Sequence, residues 1–361
     1  MQYKYLYIDD EGKYTSEALA DGLSSENVSV EYKHVSEFTT EYIKNNLVNY
    51  DGILLDLRLD DTPNSSDFTA TEFAQHIRTL VTKGELTKDL PIILFSTDEK
   101  LQQVYATDLS SHNLFDSYIR KVNTHKNASK ELSALAKGYI KIEKNQDNIT
   151  KLMGVDKLSN LQNEILSRFL EEKSKIPIHE YAQFILKELI FITGVLINED
   201  ILASRLGVDK LNTNIEDWNK IKELFENAKY KGVFCEAWDR WWINDIDSIF
   251  NKITGHYLAQ LNAKEKINKF NEMLQSENIK YSEPIKHNHS FFYSTVCKAY
   301  NRPLDVMEGF RVYSTKEPKS WQEYEYFSLD AFLEGKLEEK NIKIHSIDKE
   351  ELFNAIEDME L

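Results

Sequence analysis

The chain has only two cysteines, Cys235 and Cys297, among 361 residues. Two isolated thiols supply neither a disulfide framework nor a thiolate zinc site, and they fit a reducing compartment. No uncharged apolar stretch approaches the roughly 18 residues that a membrane span needs. The opening Met-Gln-Tyr-Lys-Tyr-Leu-Tyr-Ile runs straight into a strand pattern with no secretory leader. A soluble, cytoplasmic protein is expected. Basic charge is short too: 44 Lys and Arg against 60 Asp and Glu give a net charge of −16. Residues 1 to 140 hold 14 basic and 22 acidic residues and the remainder 30 and 38, so neither part offers the basic excess that a nucleic-acid backbone attracts. A Gly-rich phosphate loop, a GxSxG elbow, an HExxH helix and the kinase signatures are all missing, which leaves a catalytic output without a motif.

What the sequence does have is a set of apolar strands that each end on a polar group. Tyr5-Leu-Tyr-Ile runs into Asp9-Asp10, Gly52-Ile-Leu-Leu into Asp56, Pro91-Ile-Ile-Leu-Phe into Ser96, and Ser117-Tyr-Ile-Arg into Lys121. Parallel strands of one sheet deliver their C-terminal ends to one edge. Three carboxylates gathered there repel one another, and a hard cation with oxygen ligands such as Mg²⁺ relieves the repulsion. Such a pocket suits phosphoryl transfer onto a carboxylate. Asp56 is the candidate nucleophile, Lys121 a fixed positive charge on the phosphoryl oxygens and Ser96 a hydroxyl donor to them. Taken singly, these residues have plainer readings: acidic residues and Ser96-Thr97 cap helices, and a lysine snorkels from a strand end. Their joint order and spacing set those readings aside.

With those residues in place, the first 125 or so residues resemble the receiver domain of two-component response regulators. The resemblance implies Asp9 and Asp10 as the acidic pair, Asp56 as phosphoacceptor, Ser96 as the switch hydroxyl, Tyr118 as the switch aromatic and Lys121 as the family's lysine. It implies Mg²⁺ held by Asp9, Asp10, Asp56 and the backbone carbonyl of Arg58, and a histidine kinase as partner. Two departures stand out. Val122 follows Lys121 where the family usually has proline, and Thr97 replaces a small residue, a crowding expected to slow exchange with small phosphodonors and with water. The stretch Asp60-Asp-Thr-Pro-Asn-Ser-Ser-Asp67 reads as an enlarged polar loop, either a lid or partner contact or a plain surface insertion.

The length points to two domains. Alternating patterns predict β1 at 4–9, a helix at 14–23, β2 at 28–33, a helix at 39–47, β3 at 51–56, a helix at 69–81, β4 at 91–96, a helix at 99–110 and β5 at 116–120. That is an α/β, doubly wound, five-stranded parallel sheet of flavodoxin-like order 2-1-3-4-5. Residues 1–127 form the expected receiver. Residues 128–153 read as a connecting helix, with Leu132, Leu135, Ala136, Tyr139, Ile140, Ile142 and Ile149 recurring at threes and fours. It is a candidate signalling lever or dimer seam, its first half packed on the receiver. Residues 154–361 read as a mostly helical domain, with helices expected at 159–172, 178–194, 198–207, 215–228, 236–262 and 264–275 and an acidic helical tail over 347–361.

Nothing in that second part announces its chemistry. Ile201-Leu-Ala-Ser-Arg-Leu-Gly-Val-Asp209 resembles the start of a helix-turn-helix, but Glu216 and Asp217 stand where phosphate contacts would be wanted, so nucleic acid is not the expected partner. The run Trp238-Asp-Arg-Trp-Trp242 with Phe234 reads as helical core with Arg240 paired to an acidic neighbour, or else as an interface hot spot. His287 and His289 lack metal-ligand spacing. Together with Lys231-Gly-Val-Phe-Cys-Glu-Ala-Trp-Asp-Arg-Trp-Trp242 and Leu196-Ile-Asn-Glu-Asp-Ile-Leu-Ala-Ser-Arg-Leu-Gly207, the whole chain resembles the effector-less receiver proteins of Detocs-type bacterial anti-phage phosphorelays. That resemblance implies a phosphate sink acting through protein contacts. The alternative is a phosphorylation-gated effector whose helical domain is an enzyme or nucleic-acid-binding output.

Overall fold

The computed structural model describes residues 2–57, 59, 69–97, 113–121, 125–155, 166, 169 and 176–360. They fall into two compact units, one made of Met1–Glu188 with Lys231–Trp238 and the other of Leu189–Tyr230 with Asp239–Leu361.

In the first unit, β1 (Tyr3–Asp9), β2 (Val28–His34), β3 (Gly52–Leu55), β4 (Ile92–Ser96) and β5 (Ser117–Arg120) pair in the order β2-β1-β3-β4-β5, all parallel. Every residue of β3 and β4 is buried, the mark of strands covered on both faces. On β1 the period of two sends Leu6 and Ile8 to one face, into a core with Ile53, Leu55, Ile77 and Leu94, and leaves Tyr5, Tyr7 and Asp9 on the other. Gly52 is fixed by that second face, since a Cβ there would lie 2.1 Å from the Tyr5 ring.

Helices α1 (Lys13–Leu23), α2 (Thr40–Asn46) and α3 (Ala70–Thr82) start and stop within a residue or two of the expected positions. Thr69 and Glu72 form a reciprocal capping box at the start of α3. The expected helix at 99–110, the carbonyl of Arg58, Val122 and the Asp60–Asp67 loop lie outside the described residues, as does most of 159–172.

Helix α4 (His125–Glu143) lies on the sheet's second face, where the Tyr5 hydroxyl donates to the carbonyl of Leu132 at 2.7 Å and the Tyr139 hydroxyl to Asp116 at 2.7 Å. The helix read as continuous to Met153 stops at Glu143. It resumes as α5 (Ile149–Met153), capped by Asn148 and ended by Gly154 in the left-handed region. The segment expected as one helix over 178–194 is α-helical as α6 (Ile178–Gln183) and continues as a π-helix over Phe184–Ile190.

The second unit is mainly helical. Helices α7 (Glu199–Leu206), α8 (Ile215–Leu224), α9 (Ile243–Thr254) and α10 (Ala263–Leu274) enclose Trp218, Phe225, Phe250 and Phe270. The 27-residue helix expected over 236–262 is the clearest correction. Phe234 adopts a left-handed conformation (φ 70°), and Trp241–Trp242 form a short strand, β7, paired antiparallel with Leu196–Ile197, β6. Only 243–254 is regular α-helix. Tertiary pairing of the buried tryptophans overrides the local helical pattern.

A small sheet completes this unit, one that the turn-rich final eighty residues did not reveal. Its strands β8 (Thr295–Cys297), β9 (Arg302–Leu304), β10 (Gly309–Arg311) and β11 (Tyr326–Ser328) run in the order β10-β11-β8-β9. Pro303 sits on the edge strand, where a missing N–H is tolerated.

Candidate functional site

The register of the sheet brings the four strand ends level. Asp9 closes β1 and Asp10 follows it, Asp56 comes one residue after β3, Ser96 closes β4, and Lys121 comes one residue after β5. Backbone bonds hold the ends in place: Asp56 N–H donates to Ile8 at 3.0 Å and Lys121 N–H to Ser96 at 3.0 Å. Asp9, Asp10 and Asp56 are 0%, 4% and 2% exposed. The Lys121 ammonium lies 2.7 Å from Asp56 Oδ1, 3.0 Å from Asp9 Oδ2 and 3.7 Å from Glu11. Burial alone would lower the pKa of that ammonium, but Asp56 and then Asp9 outweigh it and hold it above the ordinary lysine value. The ammonium therefore stays charged beside the Asp56 and Asp9 carboxylates.

Asp9 is held from three sides, by Lys121, by the Tyr7 hydroxyl and by the Glu11 N–H at 3.0 Å. Ser96 differs. Its hydroxyl is fully buried and has no hydrogen-bond partner among the described residues. A buried hydroxyl without a partner costs about 1–3 kcal/mol, a cost that an added acceptor would remove. Tyr118 lies on edge strand β5 and is 52% exposed. Thr97 follows Ser96 and is partly buried.

Lys121 brings one positive charge to the two buried carboxylates it touches, and Asp10 adds a third carboxylate one residue from Asp9. Among the described residues no three His, Cys, Asp or Glu side chains are drawn together as a metal cluster. The donor chemistry nonetheless fits Mg²⁺, which takes hard oxygens, keeps several waters and uses one or two carboxylates rather than an all-protein cage.

Two residues at this edge escaped the sequence reading. Glu11 had a signal, as the third acid of Asp9-Asp10-Glu11. Tyr7 read only as an apolar strand position. A second charge cluster, at the opposite edge of the sheet, went unseen altogether. There Arg78 of α3, 4% exposed, donates to Asp89 at 2.9 Å, to the Leu90 carbonyl at 2.9 Å and to Asp116 at 2.8 Å. Asp116 also accepts from Tyr139 and, at 2.8 Å, from the Ile92 N–H. Asp89 takes both the N–H and the imidazole of His179, each at 2.7 Å.

The first unit has a flavodoxin-like fold, a five-stranded parallel sheet in the order 2-1-3-4-5. No protein-family model matches the chain, and no curated protein matches it. Among solved structures it is similar to the signal receiver domain of the putative response regulator NarL from Mycobacterium tuberculosis, at 21% identity over 38% of this chain and 98% of that one, with a TM-score of 0.27. It is also similar to a mutant of RitR, at 17% identity over 54% and 95% with a TM-score of 0.33. A third likeness is to the response regulator ChrA of a heme-sensing two-component system, at 13% over 76% and 98% with a TM-score of 0.25. Scores this low carry no functional argument; the fold rests on the parallel 2-1-3-4-5 sheet itself.

In the second unit, α7 and α8 flank a turn over 208–214 rather than the short turn of a DNA-reading motif. The first turn of α8 carries Glu216, exposed, and Asp217, bonded to Lys220 at 2.9 Å and Ser276 at 3.0 Å. Trp241 and Trp242 are core residues, but Arg240 has no carboxylate partner among the described residues. It donates to the carbonyls of Ile190 at 2.6 Å and Asp239 at 2.8 Å, because the Asp239 carboxylate is taken by Lys229 at 2.9 Å. Burial brings the Arg240 guanidinium down to about 10. His287 pairs with the buried Asp330 at 2.5 Å, while the His289 N–H donates to Glu308 at 2.9 Å. No helix among the described residues is long and apolar enough to cross a membrane.

Proposed function

We propose that this chain is a phosphoryl-accepting response regulator, its receiver in residues 1–127, its connecting segment in 128–153 and its output in 154–361. The observation that carries the reading is the buried Lys121 ammonium between Asp56 and Asp9, with the Ser96 hydroxyl on the next strand end lacking a partner among the described residues. A partner histidine kinase presents a phosphohistidine. An Asp56 oxygen forms the new P–O bond as the P–N bond breaks, and the electron pair returns to the imidazole nitrogen. Lys121 meets the charge on the phosphoryl oxygens, and the Ser96 hydroxyl donates to one of them, gaining the acceptor it lacks. Tyr118 is the aromatic that turns inward as Ser96 engages. Asp9, Asp10, Asp56 and, outside the described residues, the Arg58 carbonyl are the oxygen donors that would hold Mg²⁺. When bound, the ion supplies a divalent charge that screens the incoming phosphoryl group.

The output acts through protein contacts, or by drawing phosphate away from another receiver as in Detocs-type anti-phage phosphorelays. The acidic first turn of α8 speaks against a nucleic-acid output. Incubation with a phosphorylated histidine kinase and Mg²⁺ tests the acceptor: label appears on the natural chain and is absent from Asp56→Asn. An unlabelled natural chain ends the proposal. Adding the chain to a kinase and a second receiver tests the sink, which requires label on that receiver to fall.

A further inference from the structure

The side chain that the acceptor chemistry leaves unused is Tyr7. It is fully buried, its ring edge-on to Phe95 with centroids 5.2 Å apart and tilted against Tyr32 at 5.8 Å. The two-residue period of β1 places it on the face that carries Asp9. Its hydroxyl donates to Asp9 Oδ2, the same oxygen that Lys121 meets at 3.0 Å, while Asp9 Oδ1 accepts from the Glu11 N–H at 3.0 Å. Asp9 therefore has a donor on each oxygen even without Lys121.

That redundancy matters once Asp56 is esterified. The new negative charge then lies beyond the Asp56 oxygen, and a lysine that follows it draws away from Asp9. A carboxylate with no exposed surface that loses its partner bears a heavy desolvation penalty. With Tyr7 in place, Oδ2 keeps a donor throughout. We infer that Tyr7 is a positioning residue for phosphoryl acceptance, holding Asp9 so that Lys121 can leave it for the phosphoryl group. The inference rests on Asp56 being the acceptor. A phenylalanine here would fill the same space and leave Lys121 pinned to Asp9.

The test compares Tyr7→Phe with Tyr5→Phe, which removes another buried tyrosine hydroxyl from the same face of β1, one bonded to the Leu132 carbonyl at 2.7 Å. Phosphorylation is followed with acetyl phosphate and Mg²⁺. The maximal rate of Tyr7→Phe falls roughly tenfold, the scale of one hydrogen bond to a charged group, with the KM for acetyl phosphate within about twofold of the natural value. Tyr5→Phe stays close to the natural rate. Equal losses in the two variants, a natural rate in Tyr7→Phe, or a change in KM alone would each overturn the inference. A natural chain left unlabelled both by acetyl phosphate and by a phosphorylated histidine kinase would instead overturn the acceptor reading beneath it. Should Tyr7→Phe fail to fold, a crystal structure of the natural chain with Mg²⁺ and beryllofluoride decides. Lys121 should have left Asp9 with the Tyr7 hydroxyl still on it; Lys121 on Asp9 with Tyr7 withdrawn contradicts the inference.

Discussion

Strands β4 and β5 carry buried charge at both ends, and the two ends are built differently. Where the strands begin, Arg78 meets Asp89 at 2.9 Å and Asp116 at 2.8 Å, and the Tyr139 hydroxyl, the His179 imidazole and three backbone N–H groups take up further carboxylate lone pairs. Where they end, Lys121 bridges Asp56 and Asp9, the Tyr7 hydroxyl and the Glu11 N–H also donate to Asp9, and Ser96 keeps a hydroxyl with no partner among the described residues. Closed networks of the first kind rigidify a core. Open ones of the second kind store a cost that a ligand can remove, and buried groups left in that condition mark a place where something is expected to bind. Breaking the first end should therefore cost stability, whereas breaking the second should cost chemistry.

The sharpest way to break this contrast is Arg78→Met. It leaves Asp89 and Asp116 buried without their cation and should lower the unfolding free energy by about 3–5 kcal/mol in urea melts. A matched pair of isosteric changes comes next. Asp116→Asn should cost about 2–3 kcal/mol by disrupting its bonds to Arg78 and Tyr139. Asp56→Asn removes one of several crowded carboxylates and should shift stability by less than about 1 kcal/mol, in the stabilising direction. Equal losses from the two would erase the distinction between the ends.

Acid sharpens it further. Burial pushes the Asp89 carboxyl up, but the hydrogen bond from His179 and the charge of Arg78 outweigh it and hold the group below the usual carboxylate range. A depressed carboxyl stabilises the fold above its unfolded pKa of roughly 3.9, and that stability is lost as pH falls through the lower folded value. Asp89→Asn should accordingly flatten the acid limb of a stability-versus-pH profile and leave the limb above neutrality unchanged. Ser96→Ala, by contrast, should cost no stability and should recover part of the buried hydroxyl's penalty, because that hydroxyl has no partner among the described residues to lose. Its rate of phosphorylation should nonetheless drop clearly in the acetyl phosphate assay.

The open end was legible in the sequence because parallel, doubly covered strands read as continuous apolar runs, each closed by the residue that faces the edge. Asp9, Asp56, Ser96 and Lys121 could be placed together from that alone. The closed end was not, since Asp89 and Asp116 look like ordinary loop acids and Arg78 like a polar helix position. Only the long-range meeting of α3, α4, α6 and two strand entries makes them a network. Tyr7 was hidden for the opposite reason: in a strand of alternating tyrosines nothing local separates a hydroxyl that caps a carboxylate from one that bonds a helix carbonyl. In the second unit, the pattern over 236–262 favoured a long helix, and the pairing of Trp241–Trp242 with Leu196–Ile197 cancelled it.

The central claim is that the open end carries a phosphoryl group on Asp56. Acyl phosphates are cut reductively by borohydride, leaving homoserine at the esterified position. Peptide mapping after phosphorylation and reduction should find homoserine at position 56 alone. Homoserine at position 9 or 10, or at no position despite incorporated label, would contradict the account.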